Sequence, residues 1–249
     1  MEVNAAAAER HQPFRDARGT GSIVFDAVRL RQAGPELLDP GHYGAAASAV
    51  AGGGRGAAWF VRGEGGDSVL RHYRRGGMMA RLGREQYTWL GESRVRSLVE
   101  FRLLRELHRE GLPVPAPLAA AYWRSGLSYR AAILVERIAG ARTLSQWLQG
   151  DPDAAPWESV GEMLARFHLA GIDHADLNAD NVLVDAQGEP WLIDFDRCTR
   201  RSAAGGWRER NLRRLERSLR KLARGDVRWR PGFARLQRAY AAALSTVSV

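Results

Sequence analysis

The stretch HADLNADNVLVD, residues 174–185, sets a histidine, two aspartates and two asparagines directly ahead of an apolar run. A plain loop uses such residues for turns and helix caps, so the reading depends on what surrounds them. Downstream, NVLVDAQGEPWLIDFD (181–196) holds two apolar runs around a Gly-containing turn. That pattern predicts a hairpin whose second strand delivers Asp194 at its C-terminal end. Upstream, WESVGEMLARFHLAG (157–171) places Trp157, Val160, Met163, Leu164 and Phe167 along one helical face and stops just before the polar stretch. The local order is therefore helix, polar loop, strand, turn, strand.

The wider composition sets bounds on this reading. With 249 residues, 45% hydrophobic and 26% charged, the chain fits a soluble globular protein of one large domain or two lobes. No apolar run approaches the ~18 residues of a membrane-spanning helix. The start, MEVNAAAAERHQPFRD, has neither a basic n-region nor a long apolar h-region, and the chain reads as intracellular. Its single cysteine, Cys198, excludes an intrachain disulfide and a cysteine-built metal site. The net charge of +9 is unevenly placed: from Arg197 to Arg238, fifteen Lys and Arg residues face only Glu209, Glu216 and Asp226. The rest of the chain is slightly acidic, and so basic a tail implies an anionic partner. Lys221 is the only lysine in the chain.

Residues 1–21 read as a loose extension. From Ser22 to Tyr73, short β-type runs alternate with glycines (SIVFD, AAWFV, VLRHY), as in antiparallel strands and hairpins. RSLVEFRLLRELHREG then places Leu98, Phe101, Leu104 and Leu107 near helical spacing and stops at Gly111. The prolines of LPVPAP forbid a helix, RAAILVERI reads as a strand, and the last ~50 residues are helical, with Leu212, Leu215, Leu219 and Leu222 on one stripe. The fold class expected is α+β.

A hairpin folds its two ends together, so Asn181 and Asp194 are expected to face one pocket with Asp176 beside them. Oxygen ligands from an Asn and an Asp suit Mg²⁺. A separate aspartate suits the task of accepting or orienting a hydroxyl proton for in-line phosphoryl transfer. This is the HxDxxxxN…DF pattern of the protein-kinase-like fold. The same chemistry needs a cover for the phosphates, which AGGGRG offers through Gly52, Gly53, Gly54 and Gly56; a plain glycine-rich hairpin is the other reading. It also needs a strand cation, and a helix glutamate to hold it. Arg71 stands where such a strand would carry lysine, with Arg74 and Arg75 as competitors, and Glu100 is either its partner or an exposed helix charge. His174 is expected to orient the loop by hydrogen bonding, His168 to be structural, and Asn178 and Asp180 to be turn or substrate-side groups. Asp196 replaces the glycine of a DFG triplet, either as an acceptor near the metal or as the partner of a tail arginine.

Only 53 residues follow Asp196, too few for the activation segment and helical subdomain that hold peptide substrates. Together VLRHYRRGGMMARL (69–82), SLVEFRLLRELHREGLPVPAPLAAAYW (97–123), LVERIAGARTL (134–144) and HADLNADNVLVDAQGEPWLIDFDR (174–197) resemble the lipopolysaccharide core kinase family, over most of the chain from about Phe60 to Lys221. The resemblance implies a bilobal protein-kinase-like fold: an N-terminal antiparallel β lobe (22–138) and a shortened helical C-terminal lobe (139–249). It implies that ATP phosphorylates a hydroxyl, the 4-position, of 3-deoxy-D-manno-octulosonic acid (Kdo) on a lipid A precursor at the cytoplasmic face of the inner membrane. By the same resemblance Asp176 is the catalytic base or hydroxyl-orienting residue, Asn181 and Asp194 hold Mg²⁺, Arg71 and Glu100 form the phosphate clamp, and Val135 to Ile138, with Glu136 and Ile138, receive adenine. The basic tail would then meet anionic head groups as a peripheral contact.

Two alternatives remain at this level. One is a catalytically silent kinase-like module that binds membrane or lipopolysaccharide precursor, suggested by the missing strand lysine. The other is a kinase for another core sugar, such as a heptose. Nucleic acid is not an expected partner, because the basic segment lacks interleaved aromatics beyond Trp207 and Trp229.

Overall fold

A computed structural model describes residues 9–50, 58–74, 86–202 and 206–246. They form two compact units, one from residues up to 106 together with 116–137, the other from 107–115 together with 138 onward. The architecture is α+β and kinase-like: an antiparallel β unit followed by a mainly helical one.

The first unit is built on an antiparallel sheet of β1 (Glu9–Asp16), β2 (Gly19–Asp26), β3 (Ala47–Ala49), β4 (Ala58–Gly63), β5 (Gly66–His72), β6 (Tyr87–Thr88), β7 (Pro117–Ser125) and β8 (Ser128–Glu136). The strand order is β1-β2-β7-β8-β5-β4-β3, with β6 on β8. Ile23, Phe25, Leu30, Leu38, Val61, Leu70, Leu118, Trp123 and Leu134 make one core cluster against it. Helix α1 (Arg96–Arg109) follows β5 and β6 in the chain and is tied to β7 by Ser97 Oγ, which donates to the Ala121 carbonyl at 2.9 Å.

The loose extension expected over 1–21 is corrected from residue 9 onward. Glu9–Asp16 forms β1 and pairs along its whole length with β2. None of its side chains is buried, so no apolar alternation marks it as a strand. It is held by backbone pairing, by Phe14 edge-on to Trp123 at 5.7 Å, and by Glu9 between Arg102 and Arg105 at 3.3 and 2.8 Å. Pro13 is tolerated because an edge strand needs no N–H on its outer side.

In the second unit, a small sheet of β9 (Arg142–Thr143), β11 (Val182–Val184) and β12 (Pro190–Leu192) adjoins α2 (Leu144–Gln149). Two-residue strands β10 (Ile172–Asp173) and β13 (Thr199–Arg200) pair with each other. Helices α3 (Trp157–Leu169), α4 (Trp207–Ala223) and α5 (Trp229–Thr246) supply the core. Helices α3 and α5 cross closely at two glycines. A Cβ at Gly161 would meet the Leu236 carbonyl oxygen at 2.3 Å, and one at Gly232 would meet the Trp157 ring at 2.1 Å. The leucine stripe of α4 faces this core: Leu215 and Leu219 are fully buried, while Leu212 and Leu222 are half-buried.

Candidate active site

The predicted hairpin forms. Strands β11 and β12 pair with Val182 opposite Leu192, and the ladder continues with the Ile193 N–H donating to the Asn181 carbonyl at 3.0 Å. Asp194 is therefore brought one residue beyond the partner of Asn181. Its backbone is left-handed, with φ of 63°, and so is that of Arg197, at 65°. A non-glycine residue held there costs on the order of 1 kcal/mol, a strain that concentrates at functional sites.

The loop before the hairpin is organised by its own amides. Asn178 Oδ1 accepts from the N–H groups of Asp180 and Asn181 at 2.8 and 3.2 Å, an Asx-type turn. Asn178 Nδ2 donates to the Asp176 carbonyl at 3.1 Å, and Asn181 Nδ2 donates to that same carbonyl at 2.9 Å. The Asn181 NH₂ is engaged in this way, and among the described residues its Oδ1 accepts no hydrogen bond. Asp180 is a turn residue that accepts from the Ser145 hydroxyl. The Asp176 side chain is exposed, and its carboxylate has no hydrogen-bond or ion-pair partner among the described residues.

His174 orients the loop, as expected. Its Nε2 lies 3.0 Å from the Ile193 carbonyl, which only accepts, so Nε2 carries the proton; the buried Nδ1 has no hydrogen-bond partner. Burial lowers its pKa and keeps the ring neutral. The ring packs edge-on to Phe195 at 5.1 Å, and Phe195 in turn packs on Phe167 at 5.8 Å. His168 is structural: it is buried, it shares a 2.7 Å hydrogen bond with the Tyr240 hydroxyl, and burial helped by Arg208 lowers its pKa to about 4.

In the first unit, Arg71 on β5 and Glu100 on α1 are brought together. Arg71 Nη2 reaches both carboxylate oxygens at 2.6 Å, and Glu100 is only 3% exposed. Glu100 is thus a buried partner and not an exposed helix charge. The competitor Arg75 lies outside the described residues, as do Gly52, Gly53, Gly54 and Gly56. Glu136 closes β8 with its side chain held by Arg29 at 2.9 Å and its N–H donating to the Ala116 carbonyl at 2.9 Å. Ile138 opens the second unit two residues later.

Sequence reasoning missed two sets of groups around these residues. Tyr73 is buried; its hydroxyl donates to Glu100 Oε2 and its ring lies 4.9 Å from the Arg71 guanidinium. On α4, Asn211, Arg214 and Ser218 all bond to the backbone of the 174–179 loop. The available signal was a polar Asn211 on the buried face of an amphipathic helix.

A β unit with a buried strand-to-helix ion pair, followed by a helical unit with a loop carboxylate ahead of an Asn–Asp hairpin, defines the protein-kinase-like class. The model of the lipopolysaccharide kinase (Kdo/WaaP) family matches residues 45–240. The chain is 54% identical over 242 residues, 96% of each chain, to the 3-deoxy-D-manno-octulosonic acid kinase of Xanthomonas axonopodis pv. citri (strain 306). It is also 54% identical over 233 residues, 92% of each chain, to the protein of that name from Stenotrophomonas maltophilia (strain R551-3). The chain belongs to the lipopolysaccharide kinase (Kdo/WaaP) family. It is a phosphotransferase acting on a hydroxyl group, and membership of a kinase family implies ATP use. Among the described residues, no helix is long and apolar enough to cross a membrane.

Proposed function

We propose that the chain transfers the γ-phosphoryl group of ATP to a Kdo hydroxyl, the 4-hydroxyl, of a lipid A precursor during lipopolysaccharide core biosynthesis. The observation that carries this reading is the 54% identity, over 96% of each chain, to a protein named 3-deoxy-D-manno-octulosonic acid kinase. In this reading Asp176 orients the acceptor hydroxyl and accepts its proton, a role suited to an exposed carboxylate with no competing partner among the described residues.

Asn181 Oδ1 and the Asp194 carboxylate would hold Mg²⁺, since two hard oxygen donors are what such an ion takes from protein when phosphates complete its shell. When bound, the ion neutralises charge on the transferring phosphates. Arg71, braced by Glu100, binds phosphate oxygens in place of the usual lysine; its planar guanidinium suits that task. Gly52, Gly53, Gly54 and Gly56 would cover the phosphates. With the Glu136 side chain and N–H already engaged, adenine would be received by the Glu136 carbonyl and the Ile138 N–H.

A lipid-borne acceptor requires the enzyme to work at a surface. Arg210, Arg213, Arg217, Arg220, Lys221 and Arg224 are exposed on and just after α4 and suit a peripheral contact with anionic head groups on the cytoplasmic face of the inner membrane. The test is transfer from labelled ATP with Mg²⁺ to a Kdo-bearing lipid A precursor by the native chain and by Asp176→Ala. Label is expected at the Kdo 4-position with the native chain and absent with the variant. A folded native chain that leaves this acceptor unlabelled removes the Kdo reading and turns attention to other core sugars.

A further inference from the structure

We infer that Asn211 is a positioning residue for the phosphoryl transfer, and that α4 is the template on which the loop carrying Asp176 is laid. The inference rests on the role given to Asp176 above. Among the described residues the Asp176 carboxylate has no side-chain partner, so it is placed by its backbone, and whatever fixes that backbone fixes the reacting group.

Asn211 is 1% exposed and uses three of its hydrogen-bonding capacities on this task. Its Oδ1 accepts from the His174 N–H at 3.0 Å, while Nδ2 donates to Asp173 Oδ1 at 2.8 Å and to the Trp207 carbonyl at 3.1 Å. The His174 N–H only donates and the Trp207 carbonyl only accepts, so the amide has one orientation. Seven residues along the same helix face, Ser218 Oγ accepts from the Ala179 N–H at 3.2 Å, and between them Arg214 Nη1 reaches the His174 carbonyl at 3.3 Å. The two ends of the loop, His174 and Ala179, are thus pinned to one rigid helix on either side of Asp176. Asp173 is itself braced from its other oxygen by Arg201 Nε at 2.6 Å.

The test exchanges the donor and acceptor of the Asn211–Asp173 pair in the full-length protein, with ATP, Mg²⁺ and the Kdo-bearing lipid A precursor. Asn211→Asp still accepts from His174 but sets two carboxylates against each other. The double variant D173N/N211D restores a donor opposite an acceptor. Asn211→Asp is expected to lower kcat about 100-fold, the cost of a misplaced reacting group, while KM for ATP stays within about twofold. The double variant is expected to recover about tenfold or more of that loss. An unchanged kcat in Asn211→Asp, or a double variant no faster than Asn211→Asp, overturns the inference.

If Asn211→Asp does not fold, Ser218→Ala takes its place: kcat is expected to fall about fivefold with an almost unmoved unfolding midpoint, and an unchanged kcat overturns the inference. Failure of the acceptor reading shows separately, as an inactive native chain. In that case amide hydrogen exchange decides: folded Asn211→Asp must exchange faster at residues 174–179 than elsewhere, and uniform exchange overturns the inference.

Discussion

Glu100 and Asp176 are two carboxylates given parts in the proposed reaction, and the chain handles them in opposite ways. Glu100 is buried, gripped at both oxygens by Arg71 and bonded by the Tyr73 hydroxyl. The Asp176 carboxylate is exposed and has no hydrogen-bond or ion-pair partner among the described residues, while the amides beside it, Asn178 and Asn181, bond to its own carbonyl. The first is positioned through its charge, the second through its backbone. A group positioned through its charge cannot be altered without cost to the fold; one positioned through its backbone can be removed with only its chemistry lost.

The largest effect that tests this contrast is Asp176→Ala. Transfer is expected to fall about 10²–10⁴-fold, with urea-unfolding stability within about 0.5 kcal/mol of the native chain. A variant that loses stability as well would break the comparison. Arg71→Ala is expected to cost stability as well, destabilising the protein by ~3 kcal/mol because a buried carboxylate loses a counter-charge. The same urea titration reads it, and a change below 1 kcal/mol would place the pair among surface ion pairs.

His168 is a buried group whose desolvation outweighs the attraction of Asp173, and its effect is smaller and confined to acid. Its folded pKa of about 4 lies below the ordinary 6.5, so the unfolded chain binds more protons between those values. Its contribution to stability is present above pH 6.5 and is lost as pH falls toward about 4. By pH 5 the loss is ~2 kcal/mol. The slope of unfolding free energy against pH over this window should flatten in His168→Gln. The smallest effect expected is Tyr73→Phe at ~1 kcal/mol, since Arg71 still engages both Glu100 oxygens. A larger loss by thermal unfolding would make Tyr73, and not Arg71, the main support of Glu100.

The parts of this arrangement that were legible in the sequence are those in which local pattern and tertiary role coincide. VLV and WLI flank a Gly-containing turn, so β11 and β12 could be read, and with them the approach of Asn181 and Asp194. The helices α1 and α3 carry their apolar residues at helical spacing and end near Gly111 and Gly171, both with positive φ. Strand β1 was missed because its residues are polar and its place is fixed by its partner. Strand β7, PLAAAYWRS, carries no legible strand pattern for a different reason. Seven consecutive residues from Pro117 are buried, so no alternation appears, and alanine has little preference for strands. In the site, Tyr73, Asn211 and Ser218 escaped because each acts on a residue 27 to 39 positions away, and no spacing rule reaches that far.

The two ends of the large sheet bear on how the protein behaves at high concentration. A sheet edge offers unpaired N–H and C=O groups on which a second chain can add a strand. At one end of this sheet stands β1, with Glu9, Arg10, His11, Arg15 and Asp16 along it and a proline in the middle; at the other stands β3, three residues long. Charge and proline guard one edge, and brevity guards the other. The polar strand that evaded recognition is thus also the one that denies a neighbouring molecule a template for edge-to-edge aggregation.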